Sequence, residues 1–266
     1  MNLSTLLGVL AGFVMLSWAV LSQTGLYKVF INPPGLAIVL GGVICSVLVA
    51  YPVQEVLRVF RVLFVLLRKK DPDFSGMVQL VARFSGLARK EGLLALEREL
   101  PGIEDKFLVD GLQMVIAGYS EEEIREIMRS RIENCRIREL AEAHIFHTMA
   151  RFAPAFGMVG TLVGLIGMLV NMGKGNLADM GQNMAVALVT TFYGLISANL
   201  VFRPIAVQIE RRMEESVRLM TMIMEGVLMI HGQWHPYKVE DYLNSFLPPG
   251  RRQVAVRRYQ EQVKGE

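Results

Sequence analysis

Two sets of residues in this 266-residue chain can do chemistry by their type and spacing. The first is a group of hydroxyls and one amide, Thr161 followed by Thr190, Thr191, Tyr193, Ser197 and Asn199, all in stretches that carry no charged side chain. Thr190, Gly194 and Ser197 fall at i, i+4 and i+7, which is one helix face. Around Thr161, the glycines Gly157, Gly160, Gly164 and Gly167 recur at steps of three, four and three, so another helix can approach closely along them. Such a face has two uses. It can be a packing surface whose hydroxyls return hydrogen bonds to their own backbone, or a pore wall whose oxygens help dehydrate an ion moving along a carboxylate from another chain. The second set is charged: in LARKEGLLALERELP, Arg89, Lys90, Glu91, Glu97, Arg98 and Glu99 accompany Leu93, Leu94 and Leu96. On a helix this is either a solvated face with weak i,i+4 pairing or a docking surface on which complementary charges choose the partner.

The remaining candidates exclude most enzyme classes. His144 and His147 stand three apart without a Cys, Asp or Glu at a spacing that completes a zinc set, so a core or surface role is expected and no metal. His231 and His235 flank Trp234 near the tail and read as interfacial or packed. No P-loop, nucleophile elbow or HExxH is present. The chain therefore reads as a non-enzyme without a cofactor. Cys45 lies in an apolar run and Cys135 in ENCRIR, which suggests no disulfide and a reducing, cytoplasm-facing setting. A net charge of +3 is too small to announce a nucleic-acid partner.

The elements that must position these residues are membrane spans. Hydrophobic residues make up 52% of the chain and charged ones 20%, and the apolar residues come in blocks. Charge-free stretches supply four helix cores, Leu6 to Gln23, Gly35 to Val53, Pro154 to Met172 and Met184 to Val201, each near the ~20 residues that cross a bilayer. The first lacks the basic start of a signal peptide and outruns its apolar region, so it is expected to stay as a span. Every Asp, Glu, Lys, Arg and His lies outside these cores. An ion pathway through lipid commonly relies on a buried ionisable group, so either this chain conducts nothing or a partner brings the carboxylate. Of 28 Lys and Arg, 16 lie between Glu55 and Arg151 and 10 from Arg203 onward, which leaves Lys28 and Lys174 for the two other loops. Both termini and the large middle segment are thus expected on the cytoplasmic side.

That middle segment reads as helical, with no strand pattern and no internal repeat. The second span is expected to continue through Val56 to Leu67 and to stop at Arg68, Lys69, Lys70 and Asp71-Pro72. A helix is expected over Met77 to Glu99, stopped by Pro101-Gly102, and a short one from Phe107 to Ala117, stopped by Gly118. Ser120 and Glu123 form a capping box that opens a long helix running from Glu121 into the third span. The fourth span is expected to pass Pro204 and reach His231 before Pro236 and the Pro248-Pro249-Gly250 punctuation. The fold class is all-α polytopic membrane protein, with four transmembrane helices and a helical cytoplasmic domain between the second and third. Its segments are 1–54 (spans 1 and 2), 55–151 (cytoplasmic), 152–204 (spans 3 and 4) and 205–266 (cytoplasmic helix and tail).

This layout, with SGLARKEGLLALE, FAPAFGMVGTLVGLIGML, NMAVALVTTFYGLISANLVFRPIA and the tail motif SFLPP, resembles the MotA/PomA family of bacterial flagellar motor stator subunits over nearly the whole chain. The resemblance implies an ion-driven stator in the bacterial inner membrane. Five copies would surround two copies of a single-span MotB/PomB-type partner, whose membrane aspartate carries the ion and drives rotation of the ring against the rotor protein FliG. It implies rotor-contacting charges at Arg89, Lys90 and Glu97, polar residues on the ion path at Thr161, Thr190 and Thr191, and conformational prolines at Pro154 and Pro204. Thr161 and Thr191 resemble the sodium-driven PomA type, which points towards Na+, with H+ the alternative because some proton-driven members carry the same threonines. Two other readings are an ExbB/TolQ-like ring, whose members resemble a three-span layout without the ARKEG charges, and a membrane scaffold with no ion traffic.

Overall fold

The computed structural model describes residues 3–24, 30–59, 73–173 and 177–247. Lys28, Lys174, the Arg68-Lys69-Lys70 stop with Asp71-Pro72 and the Pro248-Pro249-Gly250 turn lie outside them. Among the described residues the regular elements are all helical: α1 (Leu3–Thr24), α2 (Pro33–Ala50), α3 (Phe74–Glu91), α4 (Lys106–Ile116), α5 (Glu121–Met172), α6 (Leu177–Ile196), α7 (Arg203–His231) and α8 (Pro236–Asn244). The chain divides into two compact units, Met1–Lys69 with Glu139–Arg211 and Lys70–Arg138 with Arg212–Glu266, so α5 and α7 each supply residues to both.

In the first unit, α2 starts where Pro33 and Pro34, which have no N–H to leave unsatisfied, follow the N-cap Asn32. Its end departs from expectation. The helix stops at Ala50, Tyr51 is extended (φ −133°, ψ 147°), and residues 53–59 are helical again. The cause is Pro52, which pushes the residue before it out of the helical region. Past Pro204 the chain stays helical, as expected, through a π turn at Ser197–Phe202 set just before α7. A widened turn there suits a proline that lacks an N–H and crowds the carbonyl four residues back. The one-face register read for Thr190, Gly194 and Ser197 holds to the end of α6 and is reset at that turn. The core of this unit joins Val43, Val47, Phe146, Met149, Ala153, Ala198 and Ile209. Three described helices, Pro33–Ala50, Glu121–Met172 and the run Ala178–His231, are long and apolar enough to cross a membrane.

In the second unit the capping box forms as expected. The Ser120 backbone N–H donates to the Glu123 carboxylate at 2.8 Å and the Glu123 N–H to Ser120 Oγ at 3.3 Å. The expected helix over Met77 to Glu99 is broken instead: α3 ends at Glu91, Gly92 takes φ 88°, and Leu93–Arg98 and Leu100–Gly102 are 3-10 turns. A positive φ is open to glycine without strain, so the periodic leucines after it start a new direction. Gly118, at φ 79°, ends the α4 segment in the same way. The core is made of large side chains, Phe84, Leu96, Leu108, Leu112, Ile124, Met128, Ile223 and Ile230, all fully buried.

Candidate functional site

The glycine face of α5 meets α6 backbone to backbone. A Cβ added at Gly164 would lie 2.7 Å from the Ala187 nitrogen and the Asn183 carbonyl oxygen, and one at Gly157 would lie 3.0 Å from the Thr190 carbonyl oxygen. Gly194 returns the approach from α6, where a Cβ would come within 2.5 Å of the Ala153 oxygen and 3.2 Å of the Pro154 Cα. Pro154 lies inside α5, so the Ala150 carbonyl loses its helical donor at the level where Gly194 lets α6 press against that helix. The other face of α5 is apolar and uncovered in the single chain, with Met158, Leu162, Ile166 and Leu169 each about 60% exposed.

The three threonines divide into two environments. Thr190 is fully buried, its hydroxyl donates to the Ala187 carbonyl at 2.9 Å, and its side chain is wedged between Gly160 and Gly35, where an added Cβ would meet it at 2.5 and 2.9 Å. This is the packing role that the sequence left open. Thr161 and Thr191 are half-buried and face each other with Oγ1 atoms 2.5 Å apart. The Thr161 hydroxyl is also within reach of the carbonyls of Gly157, at 3.1 Å, and Ala187, at 3.0 Å. One proton can serve only one of those carbonyls, and the pair is completed when Thr191 donates to Thr161. The result is a cluster of two hydroxyl and two carbonyl oxygens at the α5–α6 contact. Oxygen donors of this kind can replace part of an ion's hydration shell.

Sequence reasoning missed the links between distant residues. The Tyr193 hydroxyl donates to the Phe30 carbonyl and accepts the Asn32 N–H at 2.9 Å. His147 Nε2 lies 2.9 Å from Glu210 Oε1, Tyr51 and Thr148 share a hydroxyl contact at 2.9 Å, and Arg58 pairs with Glu142 at 2.5 Å. The only hint in the sequence was the presence of a polar group at each position.

In the second unit, Arg89 and Lys90 occupy the last turn of α3 and Glu97 the following 3-10 turn, all three exposed. The break at Gly92 separates these charges onto two elements and splits the leucines, since Leu96 is buried whereas Leu94 is 71% exposed. Among the described residues, Arg83 and Glu99 pair with each other at 2.6 Å, and Arg89, Lys90 and Glu97 have no ion-pair partner. Elsewhere in this unit some charges are engaged locally, as in Arg131–Asp110 and Arg125–Glu121. The Ser120 N–H holds the Glu123 carboxyl below its ordinary range, and the Arg136 guanidinium lowers that of Glu133 and is itself raised by it.

By fold this is an all-helical protein of membrane-crossing helices with an oxygen-lined helix contact, a class that holds channels and transporters. Residues 99–222 match the model of the MotA/TolQ/ExbB proton channel family. Motility protein A of Borreliella burgdorferi is 36% identical over 257 residues, covering 95% of this chain and 96% of that protein. Chemotaxis protein PomA of Vibrio alginolyticus is 31% identical over 256 residues, covering 96% and 99%. The structure of the flagellar MotAB stator complex from Bacillus subtilis matches with a TM-score of 0.87 at 31% identity, over 93% of this chain and 97% of that one. The chain belongs to the MotA/TolQ/ExbB proton channel family, in the branch of the motility protein A and PomA relatives, which are channel subunits and not enzymes.

Proposed function

We infer that this chain is an ion-conducting stator subunit of the bacterial flagellar motor, and that within the motor it is the wall of the ion path while a partner carries the ion. The observation that carries this reading is the half-buried Thr161–Thr191 pair in spans that bring no Asp, Glu, Lys, Arg or His of their own. Thr190 supports the pair from behind, and Pro154 and Pro204 are proposed as the conformational prolines of these spans. The relatives resolved as MotAB complexes support a MotB-type partner, which would supply the membrane aspartate. A ring of five copies around two such partners is the assembly proposed. Four spans cross the inner membrane, with α1 as the first and residues 55–151 and 205–266 in the cytoplasm. The split of 26 basic residues against Lys28 and Lys174 supports that orientation. The unpaired Arg89, Lys90 and Glu97 are proposed to dock on the rotor protein FliG, where complementary charge sets orientation. The description of the family as proton channels supports H+ as the ion, and Na+ is proposed beside it from the resemblance of Thr161 and Thr191 to the PomA type.

The test is flux into vesicles. The chain alone should pass neither protons nor sodium, and conduction should appear with a single-span, aspartate-bearing partner. A current from the chain alone would contradict the reading. A cysteine introduced at Ser22 should react with an impermeant thiol reagent on intact cells and one at Ser216 should not. The reverse pattern would overturn the orientation.

A further inference from the structure

We propose that Tyr193 and Asn32 form a clasp that positions the Thr161–Thr191 pair, an inference that rests on the ion-path reading above. The clasp starts at a single oxygen. The Tyr193 hydroxyl gives its proton to the Phe30 carbonyl and takes the Asn32 N–H at 2.9 Å, so both of its capacities are spent on the backbone of one short segment. A carbonyl and an N–H two residues apart, both tied to the same oxygen, leave that segment one path. Asn32 then turns the path into α2. Its Oδ1 accepts the Gly35 N–H at 2.8 Å, the first amide available after Pro33 and Pro34.

The cap fixes where Gly35 lies, and Gly35 is the seat of Thr190: a Cβ there would stand 2.9 Å from Thr190 Cγ2. On the opposite side of Thr190, a Cβ at Gly160 would stand 2.5 Å from Thr190 Cβ. Gly160 precedes Thr161 and Thr190 precedes Thr191. The contacts from Tyr193 through Asn32, Gly35 and Thr190 to Gly160 thus close on the two residues whose hydroxyls meet at 2.5 Å. None of these links is a long, flexible side chain, so a shift at the clasp has few rotamers in which to dissipate. The ring of Tyr193 is not what holds the segment's aromatic neighbour, because Phe30 stacks edge-on against Phe192 at 5.5 Å. The hydroxyl is the component that positions.

The experiment uses the full complex with its aspartate-bearing partner in vesicles, varying sodium and then pH. Tyr193→Phe keeps the ring and removes only the oxygen. Amide exchange at Asn32 and Gly35 should rise by about fivefold as the clasp opens. The sodium or proton concentration for half-maximal flux should shift by about threefold or more, with the amount of complex unchanged. Gly35→Ala enters the same series of contacts from the middle and should shift the half-maximal concentration with the Tyr193 hydroxyl intact. An unchanged half-maximal concentration in Tyr193→Phe overturns the proposal, whether or not exchange rises and whatever Gly35→Ala does. Thr191→Val separates the two ideas. Unaltered flux in that variant removes the ion-path reading, whereas altered flux there with none in Tyr193→Phe removes the clasp alone.

Discussion

In the unit that contains α2, α6 and residues 139–172 of α5, the α5–α6 contact forms where side chains are missing, beside a core that includes Val43, Val47, Phe146 and Met149. Gly157, Gly164 and Gly194 bring backbone against backbone, Gly160 receives the Thr190 side chain, and Met158, Leu162, Ile166 and Leu169 on the other face of α5 stay exposed. In the unit that contains α3, α4 and α8, helices meet where side chains are largest, through Phe84, Leu96, Leu112 and Met128, and the charged ones point away. The difference fits the placement proposed above, the first unit in lipid and the second in water. Water drives large apolar side chains together at about 25 cal/mol per Å2, whereas in lipid that drive is absent and contact depends on close packing and hydrogen bonds. The two candidate sites follow the same division, a half-buried oxygen cluster at the α5–α6 contact and a set of exposed charges in the second unit.

The comparison breaks most readily at Gly164. Gly164→Leu places carbon against the Ala187 nitrogen and the Asn183 oxygen, which are backbone atoms that no rotamer change can move. Assembled complex should be lost from the membrane, as measured by the amount purified. Wild-type yield would show that the glycine contact is not what joins α5 and α6.

Next in size is the charged site. Arg89→Glu with Glu97→Lys should abolish most swimming while complex remains at its normal level, and the neutral pair Arg89→Gln with Glu97→Gln should do less, because docking charges act by complementarity. Normal swimming by the reversed variant would remove these residues from rotor docking.

In the core of the second unit, Phe84→Ala should cost about 3–5 kcal/mol, read as a lowered thermal transition of that unit. The extent of α4 and the start of α5 were legible, since they lie near the cap and glycine that mark them, as at Ser120, Glu123 and Gly118. The break at Gly92 was not legible, because Leu93, Leu94 and Leu96 continue a helical spacing across it and only the backbone reveals the turn. The same holds for Pro52, where an apolar, charge-free run concealed a proline that ends α2. At the candidate site, the glycine stripe and the threonines could be read because they are local patterns. That Thr190 is spent on packing, or that Tyr193 holds Phe30 and Asn32, depends on contacts between different helices and loops that no spacing encodes.

The smallest effect is a pH dependence at the start of α5. Glu123 is held below the ordinary carboxylate range by the Ser120 N–H, so its contribution is complete above that range and is lost as pH falls through the lowered value. The protection of the amides in the first turn of α5, relative to their intrinsic exchange at the same pH, should therefore fall in acid, and Ser120→Ala, which keeps the N–H and removes the hydroxyl bond, should move the Glu123 titration part of the way back towards its ordinary value. An unmoved titration would separate the capping box from the shift.

The account turns on Thr161 and Thr191 as oxygens that the ion meets. Val replaces Thr with nearly the same shape and no hydroxyl, so the double variant Thr161→Val with Thr191→Val should assemble with the partner as before. Its ion flux should fall by about tenfold or more, or its preference between sodium and protons should change. Flux and preference identical to those of the unsubstituted complex would contradict the claim that this helix contact is the wall of the ion path.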